Sequence, residues 1–517
     1  MYRQFGINVH PIQDTMIAAA ILFPDFPKGL DFLTTNYCDG EPYYKADGKE
    51  WKKGAAASEE VFRRYNAMDS AVLLQIFPKQ KKELQAVGNW ETYLGQRDML
   101  YPLVYAGDRG IPIDREAMAE NATKAESRIM ELDVELSNLM GAQVNYNSTA
   151  QLIQYFYTDK NIKPYVKRRK DGRSTATVDE KALIRLASHG HEEAKLILEI
   201  RKLQKMKGTY YEMGVDDDGR LRCSYNPVGT VQARISSSAT IWGTGGNLQN
   251  LTADMRAMLK ADEGGIYIAI DLSQAENRVV AYEALERKMM SAFEQGIDLH
   301  TQTGCFIHEI PLDQCTPKIR SEGKVANFGL NYGLGVQGKH IWNRYHEIYP
   351  GVKEWHERIK EELRAGNRTL VNCYGRKRRF LDRWGADLFE KAYNYKPQST
   401  IATKINDDGV KYVYYNQDRF SDVEFANTVH DSVWVWCPMS QGIKRVIEVA
   451  LDIKGQLETP LDIQGHKVII PADIKLGFDL NDDTMLEWKS AKIAGLSLDA
   501  LTEELSTYVS TQGRGLA

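Results

Sequence analysis

No CxxC pair occurs anywhere in this 517-residue chain. Its six cysteines stand apart, at Cys38, Cys223, Cys305, Cys315, Cys373 and Cys437. That spacing argues against a zinc ribbon or a disulfide framework and suits a reducing, cytoplasmic setting. Long apolar runs are missing too. The longest, residues 16–23, is far too short to cross a bilayer, so no membrane partner is expected. The opening MYRQFGINVHP lacks the apolar core of a signal peptide. An excess of positive charge is also absent: 66 Lys and Arg against 70 Asp and Glu leave a net charge of −4, unlike a basic DNA-coating protein. No internal repeat is evident. What remains is an ordinary composition, 43% hydrophobic and 26% charged, in a chain too long for one core.

Basic residues are instead gathered locally, in KPYVKRRKDGR (163–173), RKLQKMK (201–207) and RKRR (376–379). A single basic run is commonly a solvated loop or helix face; if the chain binds nucleic acid, these local patches are where a phosphate backbone would be met.

Two acids carry the chemistry. Asp271 lies in IYIAIDLSQAENRV and Asp431 in NTVHDSVWVW, each after a short β-type stretch, 266–270 and 424–429. A carboxylate at a strand end is rigidly held and can face another. Two such acids from distant segments are the minimum device for a pair of Mg²⁺ ions about 3.5–4 Å apart. Between them lies RSEGKVANFGLNYG, 320–333. Read as a helix, it spaces Arg320, Lys324, Phe328 and Tyr332 by four residues, so each drifts only ~40° from the last over roughly 18 Å. That face reads cation, cation, aromatic, aromatic, fit to grip a triphosphate and stack on a base.

These segments resemble motifs A, B and C of the family-A DNA polymerases: DLSQAENR for DYSQIELR, RSEGKVANFGLNYG for RxxxKxxNFGxxYG, and HDS for HDE. TVQARISSS (230–238) resembles TxxGRLSS, GGNLQN (245–250) resembles NLQN, YGRKRRF (374–380) the GRRR turn, and NYKPQST (394–400) NxPxQGT. The resemblance covers about residues 10–488. It implies an α+β, multidomain right-hand polymerase, with an antiparallel palm sheet, helical fingers and thumb, and a partial ribonuclease-H-like exonuclease at the N-terminus. The expected divisions are 1–85 exonuclease-like, 86–210 thumb, 211–285 and 370–488 palm, 286–369 fingers, and 489–517 a fraying tail. Within the thumb, residues 126–140 have helical apolar spacing, and Ser148 or Thr149 is the expected N-cap of the next helix.

The resemblance also implies residue roles. Asp271 and Asp431 hold two Mg²⁺ ions, with the Leu272 carbonyl as a further ligand and Mn²⁺ as a possible substitute. Arg320 and Lys324 meet the phosphates, Lys324 catalytically. Phe328 stacks on the incoming base, Tyr332 sits near the template base, and Gln274 and Glu276 line the nucleotide, Glu276 as the sugar gate. Arg234, Gln249, Asn250, Arg278, Gln398 and His430 touch DNA; Arg376 and Lys404 are further phosphate candidates. Partners are then primer–template DNA and deoxynucleoside triphosphates, with a monomeric enzyme.

Ser432 replaces the motif C glutamate, an auxiliary acid in the family, and Ala233 replaces a glycine before Arg234. Tyr65 and Asp69 match only the third exonuclease motif. A packed tyrosine and a capping acid, with no proofreading, are therefore expected, in a truncated exonuclease domain of phage or mobile-element type. The rival readings are a single-subunit RNA polymerase, against which Glu276 and Phe328 speak, and a catalytically weak DNA-binding remnant, against which intact Asp271, Asp431 and Lys324 speak.

Overall fold

The computed structural model describes residues 6, 9–39, 44, 59–168, 173–333 and 339–512. Its centre is a five-stranded antiparallel sheet of β1 (Gly265–Leu272), β2 (Glu424–Val429), β3 (Ser432–Pro438), β4 (Ala472–Gly477) and β5 (Leu486–Trp488), in the order β2-β3-β1-β4-β5. Alternation in β1 sends Ile266, Ile268 and Ile270 into one core and Tyr267 and Ala269 into a second on the opposite face. Burying each isoleucine stabilises the fold by roughly 1.5–3 kcal/mol. With both faces covered, β1 is rigid up to Asp271, its last residue but one.

The helices make separate units around this sheet. The N-terminal region carries α1 (Glu59–Val87) and, within its described residues up to 85, no strand. Next come α2 (Arg115–Met140) and α3 (Glu192–Lys205). Leu132 and Leu136 of α2 join Phe156, Leu183, Leu186, Ile197 and Ile200 in a small core of their own. Ser148 caps the expected helix, its side chain accepting from the Gln151 N–H.

After β1 follow α4 (Ala275–Glu283), α5 (Leu299–His308), α6 (Pro317–Asn331), α7 (Pro350–Ala365) and α8 (Ala386–Lys404). Leu299, Ala326, Leu330, Tyr349, Trp355 and Tyr393 form their shared core. Helix α8 joins the units: Leu388 and Ala392 lie in that core, Ile401 in the core under the sheet. α5 and α6 meet at two glycines. A Cβ on Gly323 would fall 2.1 Å from the His300 carbonyl oxygen, and one on Gly304 2.4 Å from that of Ile319. This approach fixes which face of α6 is buried and leaves Arg320, Lys324 and Phe328 outside.

Three expectations are corrected. The tail does not fray throughout: beyond α9 (Ile443–Leu457), residues Leu498–Thr511 form α10, capped by Ser497. Leu501, Leu505 and Val509 of α10 are buried in the sheet's core. Within the run 376–379, Arg376 and Arg378 do not face a phosphate backbone either, and only Arg379 is exposed. Arg376 is buried and donates to Gln96 at 2.9 Å; Arg378 is buried over the Phe380 ring and donates to Asp25 at 3.0 Å. These arginines tie N-terminal segments to the stretch that packs on α8, where the Tyr395 hydroxyl donates to the Arg376 carbonyl at 3.0 Å. Lys404 is fully buried, bonded to Asp408 and the Thr459 carbonyl, each at 2.9 Å. In the run 163–173, residues 169–172 lie outside the described residues.

Candidate active site

Strand pairing brings the two acids together. β2 and β3 form a hairpin whose two-residue turn is His430–Asp431, with His430 at φ 55°. β3 pairs with β1 so that Ser432 lies opposite Asp271, and the Leu272 N–H donates to the Asp431 carbonyl at 3.0 Å. The Asp271 side chain opens on the cleft but is walled by protein. That burial, and then the neighbouring Asp431 charge, raises its pKa above the ordinary carboxylate range, against the pull of Lys475. Burial likewise raises Asp431.

Carboxylates that suppress one another's ionisation are a fitting cradle for a divalent cation. Among the described residues no group of three or more His, Cys, Asp or Glu side chains could hold a metal. A pair of carboxylates is a donor set that Mg²⁺ commonly takes, its shell being filled by phosphate oxygens and water.

The auxiliary acid of motif C is absent in effect as well as in name. The buried Ser432 hydroxyl donates to the Val429 carbonyl at 2.8 Å and accepts from the Trp434 indole at 3.1 Å. Sequence reasoning missed an acid on the other side. β4 places Asp473 directly opposite Asp271, bonded to the Ser490 N–H at 2.8 Å and Lys489 at 3.1 Å. No motif signals Asp473; only the strand order does.

On α6, Arg320, Lys324 and Phe328 are exposed on one face, as the spacing predicts. Arg320 donates to Asp298 at 3.0 Å, and Gln274, itself at φ 50°, donates to the same Asp298 oxygen at 3.3 Å. Asp298 also caps α5 through the Thr301 N–H at 2.7 Å. It too was missed, although a capping acid before a helix is a readable signal. Phe328 leans on His300, with ring centroids 5.7 Å apart.

Tyr332 departs from the expected face. The helix ends at Asn331, and Tyr332 is 6% exposed with its ring in the helical core. Its hydroxyl donates to one carboxylate oxygen of Glu276 and Arg234 donates to the other, while Gln398 donates to Asn394 at 3.3 Å. Burial, then the Glu276 charge, raises the Tyr332 pKa well above that of free tyrosine. Ala233 keeps the turn before Arg234 at φ 71°, a left-handed conformation costing roughly 1–2 kcal/mol outside glycine.

The remaining DNA candidates divide. Asn250 and His430 are exposed. Gln249 is buried and its amide donates to the Thr428 carbonyl, bracing the β2–β3 hairpin. Arg278 donates to the Ser273 carbonyl at 3.1 Å and lies 4.3 Å over the Phe293 ring, bracing the turn after Asp271. In the N-terminal region, Asp69 accepts from the Tyr44 hydroxyl at 2.8 Å, and the Tyr44 and Tyr65 rings are 5.9 Å apart.

Comparison with known proteins agrees with this geometry. A family profile described as DNA polymerase family A matches residues 115–477, and one described as 3'-5' exonuclease matches residues 1–85. DNA polymerase I of Aquifex aeolicus is 27% identical over 510 residues, covering 90% of this chain and 84% of the relative. Thermostable DNA polymerase I of Thermus aquaticus is 25% identical over 499 residues, covering 89% of this chain but 55% of the relative. The chain thus spans about half the length of several curated relatives, the Treponema pallidum DNA polymerase I at 47% among them. The POL domain of Pol1 from M. smegmatis, solved with DNA primer-template and dNTP, shares the fold at a TM-score of 0.75 and 20% identity, over 90% of this chain and 82% of that one.

Proposed function

Because the chain belongs to DNA polymerase family A, we propose that it is a template-directed DNA polymerase, adding deoxynucleotides to a primer 3′-hydroxyl and releasing pyrophosphate. The observation that carries this reading is the meeting of Asp271 and Asp431 at adjoining strand ends, with Gln274, just after Asp271, sharing Asp298 with Arg320 of the exposed Arg320–Lys324–Phe328 face. Asp271 and Asp431, with the Leu272 carbonyl, are the residues to hold Mg²⁺. Bound there, the ions supply Lewis-acid activation of the 3′-hydroxyl and neutralise charge on the triphosphate.

The chain's own groups do the rest. Lys324 and Arg320 meet charge building on the phosphates. Arg320 must first exchange Asp298 for phosphate oxygens. Phe328 offers its exposed face to the incoming base. Glu276, pinned from both sides, occupies the place of a ribose 2′-hydroxyl. Arg234, Asn250, Gln398 and His430 offer donors to the minor groove, where acceptors lie alike for every base pair. Gln249, Arg278 and Tyr332 act from behind as supports.

In this reading 86–210 is the thumb, 211–285 and 370–488 the palm, and 286–369 the fingers, in a monomeric cytoplasmic enzyme. No helix among the described residues is long and apolar enough to cross a membrane. No proofreading is expected of this chain, since Asp69 alone cannot hold the two metal ions that exonuclease chemistry needs. A single-stranded 3′ end should survive incubation with enzyme and Mg²⁺.

The direct test is extension of a primed template by the purified chain. Full-length product with deoxynucleotides and Mg²⁺, lost with chelator, supports the reading. Equal use of ribonucleotides would favour an RNA polymerase, and no extension a remnant.

A further inference from the structure

The segment between Ser238 and Asn247 makes a turn with an apolar tip: Ile241 is 83% exposed and Trp242 56%. Single exposed apolar side chains are ordinary. What sets this pair apart is its mount. The Thr240 N–H donates to the Thr244 carbonyl at 2.8 Å, the Gly243 N–H to the Thr240 carbonyl at 3.0 Å, and the two threonine hydroxyls share a bond of 2.8 Å. The stem is clamped as well. The Gly245 N–H donates to the Gly214 carbonyl at 2.7 Å, and a Cβ on Gly245, at φ 70°, would lie 1.7 Å from the Arg222 carbonyl oxygen. The tip is held outward by a stiff turn.

Its neighbours say what it meets. The same segment runs on into exposed Asn250 and into Gln249, which is fastened to Thr428, three residues before Asp431. On the other side Gly246 packs on Met213, which follows α3 and the helical turn Met206–Tyr211; Lys202 and Lys205 at the end of α3 are exposed. The turn is therefore anchored between the segment that follows α3, whose last turn carries exposed cations, and the β2–β3 hairpin that bears Asp431. Cations that track a backbone, together with an aromatic ring, are the composition of a nucleic-acid surface. A protein partner fits less well: an aromatic side chain buries at most about 250 Å², against about 800 Å² per partner in a stable interface.

We propose that Trp242, with Ile241 beside it, is a DNA contact of this chain, its indole packing against a base of the bound primer–template. This rests on the polymerase reading above and adds to it a base-packing contact outside the reaction centre.

The test compares wild type with Trp242→Ala and Trp242→Phe. The side chain is exposed, so neither variant should change the melting temperature. Primer–template affinity is measured by fluorescence anisotropy across a salt series without nucleotide. Trp242→Ala should weaken binding about tenfold, the order of one base–aromatic stack, and Trp242→Phe should restore most of it. The slope of affinity against salt should stay constant, because no phosphate contact is lost. An abasic site walked along each strand should, at one position, weaken the wild type and leave Trp242→Ala unaffected. Unchanged affinity in Trp242→Ala, or the same response of both proteins at every abasic position, overturns the proposal. So does self-association of the wild type that Trp242→Ala abolishes, which would assign the tip to a second copy. Should the wild type extend no primer while Trp242→Ala still loses base-dependent affinity, the polymerase reading fails and the DNA contact stands.

Discussion

The Tyr332 hydroxyl donates to one carboxylate oxygen of Glu276, a bond that joins the end of α6 to the start of α4. Arg234 holds the other oxygen, so the proposed sugar gate is fixed from two sides. Glu276→Ala should raise ribonucleotide use relative to deoxynucleotide use by at least about tenfold, or roughly 1.4 kcal/mol of lost discrimination. Tyr332→Phe keeps the buried ring but frees the carboxylate, and should give a smaller rise of about two- to fivefold. Competition between the two nucleotide types measures both. An unchanged ratio in Glu276→Ala would move the gate elsewhere.

Lys324 is exposed on α6, so its loss should leave the core intact, and its assignment to the triphosphate predicts no loss of DNA contact. Lys324→Ala should lower kcat/KM for nucleotide by roughly 10²–10³, as for removal of one preorganised electrostatic donor. Melting temperature and primer–template affinity should hold steady. Arg234→Ala should instead impair extension most from mismatched primer ends. A shared loss of stability in both variants would make the two residues structural.

Asp298 separates a charge from a cap. Asp298→Asn retains a side chain able to cap α5 while removing the carboxylate that holds Arg320. The melting temperature should change little, and nucleotide KM should fall about two- to fivefold as Arg320 is freed. Asp298→Ala should lose the cap also, at about 1 kcal/mol of stability. A KM that rises in Asp298→Asn would show that the acid aids nucleotide binding.

Local pattern made much of this legible. The strand-end positions of Asp271 and Asp431, the Ser148 cap, and the Arg320–Lys324–Phe328 face all follow from neighbouring residues. What escaped depends on distant ones. Asp473 becomes a neighbour of Asp271 only once β4 pairs with β1. Tyr332 turns inward because α6 stops one residue earlier, at Asn331. Arg376 and Arg378 look like a phosphate surface in sequence, but Gln96 and Asp25, hundreds of residues away, claim them. α10 was missed for another reason: the four-residue spacing of Leu501, Leu505 and Val509 was outweighed by polar composition.

Acid should weaken the unit that carries α6. Burial pushes His300 and His356 down to about 4, whereas an unfolded histidine titrates near 6.5. Below about pH 6.5 the unfolded chain therefore binds the extra protons. Stability is full above that pH and is lost as pH falls towards 4. His356 donates through Nε2 to the Asn331 carbonyl at 2.8 Å and stacks on Tyr393 at 3.8 Å. In urea denaturation at pH 7 and pH 5, His356→Gln should reduce the acid-induced loss by about 2 kcal/mol. An undiminished loss would place the acid sensitivity in other groups.

The central claim is that Asp271 and Asp431 serve the metal ions and not the DNA. Single-turnover incorporation in Mg²⁺, measured beside primer–template affinity on the same preparations, tests it most directly. Asp271→Asn and Asp431→Asn should each abolish incorporation while binding primer–template nearly as well as the wild type. Incorporation above a few per cent of wild type in either variant would contradict the account.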